Sequence, residues 1–272
     1  MNTVPDVARL RDLRRRVDEV IHAFLSARRR ELAAIHPAAV APVDELGRLL
    51  AAGGQRIRPA FVYWGFRAAG GEDGPPIVSA AAALELLHTM ALIHDDLMDG
   101  TETRRGVPAS HVAVGPAAAI LAGDLAAVLA DQLLLDAGFP GPRLLGALAR
   151  YHHMRVDMAA GQYLDIAGVG ADPHRVAALK GGAYTVLGPL LVGMELAGGG
   201  SLVESGLRAY GEPLGRAFQL LDDHRDGDAP EGVTQLEAEA LVRAAEAVLD
   251  PDVLGAQAAD ALGCLARLVG SS

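Results

Sequence analysis

The chain has 272 residues, 51% of them hydrophobic and only 4% aromatic, which suits one thick aliphatic core and favours helix. A net charge of −10 argues against nucleic acid as a partner. The single cysteine, Cys264, excludes an internal disulfide and fits a reducing, cytoplasmic setting. Along the chain, apolar residues at helical spacing between arginines predict an amphipathic helix from Val7 to Leu32. Asp44–Ala52 reads as a second helix stopped by Gly53-Gly54, and Arg58-Pro59 restarts a third. Ile77–Met98 is apolar almost all round and reads as a central buried helix, followed by Ala117–Leu135. Further helices are expected over Pro142–Asp165, Asp172–Tyr184, Leu202–Asp226, Leu236–Leu249 and Val253–Leu268. No run alternates strictly with β-branched enrichment, so no strand is expected. No linker divides the chain, which predicts one all-α domain over residues 1–272, a bundle of about ten helices. Met1–Leu10 lacks the layout of a signal peptide. The charge-poor stretches Val107–Gly123 and Gly181–Met194 are too short or too rich in glycine and proline to span a bilayer, so no membrane insertion is expected.

Two acidic clusters stand out, Asp95-Asp96-Leu97-Met98-Asp99 and Asp222-Asp223-His224-Arg225-Asp226. Asp95 and Asp99 are i and i+4, as are Asp222 and Asp226, so each pair shares one helix face. Each cluster ends an apolar helix, where unpartnered carboxylates are unfavourable and hard oxygen ligands suit Mg2+. The alternative for either taken singly is a solvated acidic helix end, which the apolar helix before it disfavours. Lys180 is the one lysine among 24 Lys and Arg residues and lies between the clusters, a compact mobile charge kept where arginine is otherwise used throughout. Carboxylates in two groups plus a cation read as a site for a diphosphate and several Mg2+ ions. Arg104-Arg105 would grip phosphate oxygens, or simply neutralise nearby acids. Gly53-Gly54-Gln55-Arg56-Ile57-Arg58-Pro59 is a glycine turn with two arginines, or an ordinary helix cap. His88, two turns before Asp95, is by itself more often a satisfied core histidine than a ligand. Gly161-Gln162-Tyr163-Leu164-Asp165 carries little alone.

In order, GGQRIRP, ELLHTMALIHDDLMD, RRG, LAGD, GQYLD, the lysine followed by YT and PL, and FQLLDD resemble the trans-isoprenyl diphosphate synthases, the polyprenyl synthetase family, over roughly residues 45–228. The resemblance implies the isoprenoid synthase type I fold, helices around an apolar cavity, usually as a homodimer. It implies an enzyme that ionises an allylic prenyl diphosphate with three Mg2+ ions and condenses it with isopentenyl diphosphate. On this basis Asp95, Asp99 and Asp222 are direct metal ligands, with Asp96, Asp223 and Asp226 as ligands or support. Arg104 and Lys180 hold the allylic diphosphate, and Gln162 and Asp165 flank it. Arg58, His88 and Arg105 match positions that bind isopentenyl diphosphate, with Gln55 in the same turn, and Gln219 supports the second cluster. Met90 and Ala91 match the cavity floor. Neither is aromatic, which implies a product of C15 to C20, as in geranylgeranyl diphosphate synthases.

Three departures from the family pattern bear on function. Gln55 stands where lysine is usual, which removes a charge-assisted contact to the second diphosphate. Gly181 replaces the usual Thr or Ser. Asp226-Gly227-Asp228 runs into Ala229-Pro230 and the closing helices with no lysine after residue 180, so the lysine-bearing loop is expected to be absent. These changes fall on the second-substrate side. They leave open a class I terpene cyclase, a prenyltransferase to an unusual acceptor, and a non-catalytic partner subunit of an active synthase.

Overall fold

Helix-forming sequence and long aliphatic runs produce twelve α-helices among the described residues. The computed structural model describes residues 4–168, 175–176, 178–226 and 235–271, with side chains for all of these except 4–6, 180, 183, 223, 225 and 226. The helices are Val4–Ile35, Ala41–Ala51, Ile57–Ala68, Pro75–Asp99, Ser110–Val114, Pro116–Leu135, Gly141–Ala167, Gly188–Ala197, Ser201–Asp226, Gln235–Ala247, Pro251–Leu254 and Ala256–Gly270. Several carry a proline as their first or second residue, where its fixed φ suits the first turn: Pro42, Pro116, Pro142 and Pro189.

The chain divides into two compact units. One comprises Arg11–Pro59 and Val78–Gly138, and the other Met1–Leu10, Ala60–Ile77 and Phe139–Ser272.

In the first unit, Ala80–Leu84, Leu86, Leu87 and Ile93 of helix Pro75–Asp99 are fully buried, as the unbroken apolar run requires. Helix Ala41–Ala51 packs on Pro116–Leu135. The expectation of no strand needs one correction. Thr103–Arg104 pairs antiparallel with Val107–Pro108 across a two-residue turn at Arg105-Gly106. Both turn residues have positive φ, +53° and +76°, the pattern of the tight hairpin turn whose twist matches its strands. A ladder two residues long has no alternation to read.

In the second unit, Gly141–Ala167 packs on Gly188–Ala197 and on a π-helical segment, Ala178–Leu187, which also packs on Ser201–Asp226. A Cβ at Gly193 would stand 2.0 Å from the Val62 carbonyl oxygen and one at Gly65 2.2 Å from that of Leu190, so two helices cross backbone to backbone there. Arg150 ties three helices, donating to Glu195 at 3.1 Å and Glu204 at 3.0 Å. The buried Tyr210 hydroxyl donates to the Leu262 carbonyl at 2.7 Å. Arg150 and Tyr210 thus fix the helix that carries Asp222. The expected helix Asp172–Tyr184 lies partly outside the described residues; from Ala178 onward the segment is π-helical and continues into a separate apolar helix, Gly188–Ala197.

Pro75–Asp99 and Pro116–Leu135 are long and apolar enough to cross a membrane by length and composition alone. The most apolar window of the first is 67% buried within the protein and that of the second 44%. The first is therefore a core helix. The second exposes Ile120, Leu121, Val128 and Leu135 along one face.

Candidate functional site: an arginine cluster beside the first aspartates

Local conformation at two glycine turns brings the arginines of the first unit together. After helix Ala41–Ala51, Gly53 and Gly54 adopt φ of +104° and +140°, and Arg56 itself lies at +54°. Left-handed backbone at a non-glycine residue is strained, and here Arg56 offsets the strain with its side chain. Its guanidinium is buried and donates to Asp18 Oδ1 at 2.7 Å, Glu85 Oε1 at 2.8 Å, the Leu50 carbonyl at 3.0 Å and the Gly53 carbonyl at 3.1 Å. Glu85 is the only acid in the apolar run Ile77–Ile93, and Arg56 supplies its partner.

Arg105, at the hairpin tip, also donates to the Gly53 carbonyl. A Cβ on Gly54 would stand 2.7 Å from Arg56 Nη1 and 2.8 Å from Arg105 Nη1, so only glycine admits both guanidinium groups. Arg104 turns the other way. Its Nε and Nη2 donate to Asp96 Oδ1 at 2.7 and 2.5 Å, and its Nη2 lies 3.9 Å from Asp95 Oδ2. Arg58 is buried on the first turn of helix Ile57–Ala68.

Burial and neighbouring arginines both act on the titrating groups here. His88 has its pKa pushed well below the ordinary 6.5, first by burial, then by Arg58, Arg105, Arg104 and Arg56. The imidazole is therefore neutral at pH 7. Arg105 is lowered as well, chiefly by burial, with Glu85 pulling the other way and Arg56, Arg104 and Arg58 adding to the lowering. Arg56 is matched by Asp18 and Glu85, and Arg104 by Asp96, while Arg105 meets a neutral carbonyl. Guanidinium forks held in a partly dry place suit phosphate oxygens bidentately, and a diphosphate would relieve the repulsion.

The first aspartates separate by role. Asp96 is 1% exposed, with Oδ1 on Arg104 and Oδ2 buried without a hydrogen-bond partner. Asp95 is partly exposed and Asp99 exposed, one turn apart on the last turns of their helix. Among the described residues no three His, Cys, Asp or Glu side chains converge as a ready-made metal cluster. Two accessible carboxylates on one face still fit Mg2+, which keeps several waters and is shared with phosphates. Met90 and Ala91 are half-buried, and Ala91 lies one turn below Asp95 on the same face. Gln55 is exposed at the glycine turn.

In the second unit, Gln219 and Asp222 lie one turn apart on helix Ser201–Asp226, both half-buried. The side chains of Lys180, Asp223 and Asp226 lie outside the described residues, as does the segment after Asp226 where the lysine-bearing loop was expected to be absent. Lys180 falls in the π-helical segment, a form that recurs at functional sites. A Cβ at the next residue, Gly181, would stand 1.6 Å from Gln219 Oε1, so the amide of Gln219 occupies the volume a side chain at 181 would take. Gln162, half-buried, and Asp165, exposed, share a face near the end of helix Gly141–Ala167.

Sequence reasoning missed Arg56, Glu85 and Asp18 as the frame of this cluster. A lone acid in a fully apolar helix was the available signal, because it demands a buried cation.

The polyprenyl synthetase family model matches residues 43–235. The chain belongs to that family. It is 36% identical over 183 residues to the short chain isoprenyl diphosphate synthase of Methanothermobacter thermautotrophicus, covering 65% of this chain and 56% of that protein. It is 34% identical over 190 residues to the geranylgeranyl diphosphate synthase of Methanosarcina mazei, covering 68% and 58%. The chain thus spans little more than half the length of these curated relatives in its match to them. Among solved structures it resembles the geranylgeranyl pyrophosphate synthase of Corynebacterium glutamicum, solved with isoprenyl diphosphate and magnesium. The TM-score is 0.84 and the identity 26%, covering 93% of this chain and 97% of that one. The fold is the all-α fold of the isoprenyl diphosphate synthases.

Proposed function

We propose that this member of the polyprenyl synthetase family is a Mg2+-dependent prenyltransferase. It condenses an allylic prenyl diphosphate with isopentenyl diphosphate to a C15 to C20 prenyl diphosphate, as geranylgeranyl diphosphate synthases do. The observation that carries the reading is the gathering of arginines beside the first aspartates: Arg105 and Arg56 meet at Gly53-Gly54, and Arg104 sits on Asp96 next to Asp95. Isopentenyl diphosphate needs to be held and not ionised, and arginines hold a diphosphate without drawing off its charge as metals do. Arg58 and Arg105 bind its oxygens, and neutral His88 adds a hydrogen bond. Asp95 and Asp99 in the first unit, and Asp222, Asp223 and Asp226 in the second, are assigned to Mg2+, which would supply electrostatic stabilisation of the departing allylic diphosphate. Three ions are assigned. Asp96 orients Arg104 towards the same diphosphate, and Lys180, Gln162, Asp165 and Gln219 complete its binding. Met90 and Ala91 limit the chain. The apolar stripe Ile120, Leu121, Val128 and Leu135 is assigned to a second copy in a homodimer. One domain over residues 1–272, in the cytoplasm, belongs to the same reading.

The test is incubation of the purified protein with Mg2+ and geranyl or farnesyl diphosphate, with and without isopentenyl diphosphate, followed by product identification. Elongation that requires isopentenyl diphosphate is expected. Diphosphate release without it, giving a hydrocarbon or alcohol, would replace the reading by a cyclase. Activity seen only with an added synthase would make the chain an accessory subunit. Light scattering of the same sample reads the dimer.

A further inference from the structure

Three side chains outside every motif form a buried charged tie in the first unit. Glu45, on helix Ala41–Ala51, is 4% exposed, and Ser110, opening helix Ser110–Val114, is 1% exposed. Glu45 Oε1 accepts from Ser110 Oγ at 2.6 Å and from Arg48 Nη2 at 2.5 Å, and Oε2 accepts from Arg48 Nε at 2.7 Å. Arg48 Nη2 also donates to the Pro108 carbonyl at 2.8 Å. Both carboxylate oxygens are engaged. Arg48 itself is half-buried, and an ion pair of this kind contributes little stability over apolar packing of the same shape, so stability alone does not account for it.

Its geometry does. Pro108 is the last residue of the hairpin whose tip is Arg105, and Ser110 lies two residues beyond. The opposite side of the hairpin is held from the helix Pro75–Asp99, by Asp96 on Arg104 and by the Thr101 N–H on the Asp96 carbonyl at 2.9 Å. The Ala109 N–H closes the base on the Glu102 carbonyl at 2.9 Å. Helix Ala41–Ala51 also leads into Gly53, the carbonyl that receives Arg105. One helix therefore fixes both the base of the hairpin and the acceptor at its tip.

We propose that Glu45, Arg48 and Ser110 are positioning residues for the arginine hairpin. They set where Arg104 and Arg105 meet a diphosphate and touch no ligand themselves. The inference rests on the reading of the arginine cluster as a diphosphate site. A carboxylate that holds one hydroxyl and one guanidinium specifies a single register of the Pro108–Ser110 segment, which an apolar contact would leave free to slide.

The test is calorimetric titration of the full chain with inorganic pyrophosphate, alongside amide hydrogen exchange. Glu45→Gln and Arg48→Lys are expected to weaken pyrophosphate about tenfold, the worth of one charge-assisted hydrogen bond. Exchange at Arg105 and Gly106 should quicken in both, while Ser110→Thr, which keeps the hydroxyl, should bind as the wild type does. In turnover, the KM for isopentenyl diphosphate should rise with kcat unchanged, a split that general loosening of the fold would not give. Arg105→Ala serves as the control. If it loses pyrophosphate while folded Glu45→Gln and Arg48→Lys bind normally, the positioning role is wrong and the diphosphate site stands. If Arg105→Ala also binds normally, the diphosphate reading itself fails. Should the charged variants not fold, Ser110→Ala removes one hydroxyl only, and unchanged affinity and exchange in it overturn the proposal.

Discussion

The arginine turn of the first unit and the lysine segment of the second, both proposed to present a cation to phosphate, are built by opposite means. Around Arg56 and Arg105, charge is fixed by charge: a buried ion pair, shared carbonyls and strained backbone hold each guanidinium in one place. Around Lys180, the backbone is a π-helical turn on bare glycine, and a neutral amide, Gln219, fills the space beside it. The first arrangement is stiff and should respond to mutation through stability. In the second, the nearest obstacle to a side chain at 181 is the flexible end of Gln219, so it should respond through turnover.

Breaking the carboxylates comes first. Asp95→Ala or Asp222→Ala should abolish turnover, a loss of at least about 10³-fold, the several kcal/mol that metals contribute at a leaving group. Steady-state assays check it, and retained activity in either variant would remove the metal assignment. Next, Glu85→Ala strands buried Arg56 and should destabilise the fold by about 3 kcal/mol in urea unfolding. A loss below about 1 kcal/mol would show the cluster is not charge-locked. On the other side, Gly181→Thr must displace Gln219. It should lower kcat/KM for the allylic diphosphate about tenfold while unfolding free energy changes by less than about 1 kcal/mol. The reverse pattern would erase the contrast between the two regions.

The smaller effects sharpen the picture. His88 has a folded pKa well below 6.5, so on acidification the unfolded chain takes up its proton first. Stability from this site is therefore complete above about pH 6.5 and falls as pH drops below it. His88→Gln should flatten that limb of a pH–unfolding curve, and an unaltered limb would place the titration elsewhere. Finally, Met90→Phe should shorten the product by one isoprene unit, read by chromatography of the dephosphorylated alcohols. An unchanged length would move the cavity floor from this position.

The helices were legible because burial imposes a period on the sequence. Ile77–Leu87 is apolar almost all round, and every residue of it but Ser79 is buried. Boundaries moved where proline sets a first turn, as at Pro42, ahead of the expected start at Asp44. The hairpin at Arg105-Gly106 was hidden because two-residue strands carry no alternation, although the dipeptide itself suits a tight turn. The π-helical turn around Lys180 was hidden for a different reason. Its one-residue widening depends on packing against Ser201–Asp226, which local propensity does not encode. At the site, Arg58, Arg104 and Arg105 were found from their order in motifs. Arg56, beside them in the same motif, was passed over because its role depends on Glu85 and Asp18, far away in sequence.

The carbonyl oxygen of Gly53 receives two guanidinium groups, one from the frame and one from the hairpin tip. Both of its lone pairs are occupied, so that peptide plane has no alternative orientation to sample. Ordering of these guanidinium groups is completed while the polypeptide folds, so the diphosphate proposed to bind here would meet a surface whose entropy has already been surrendered.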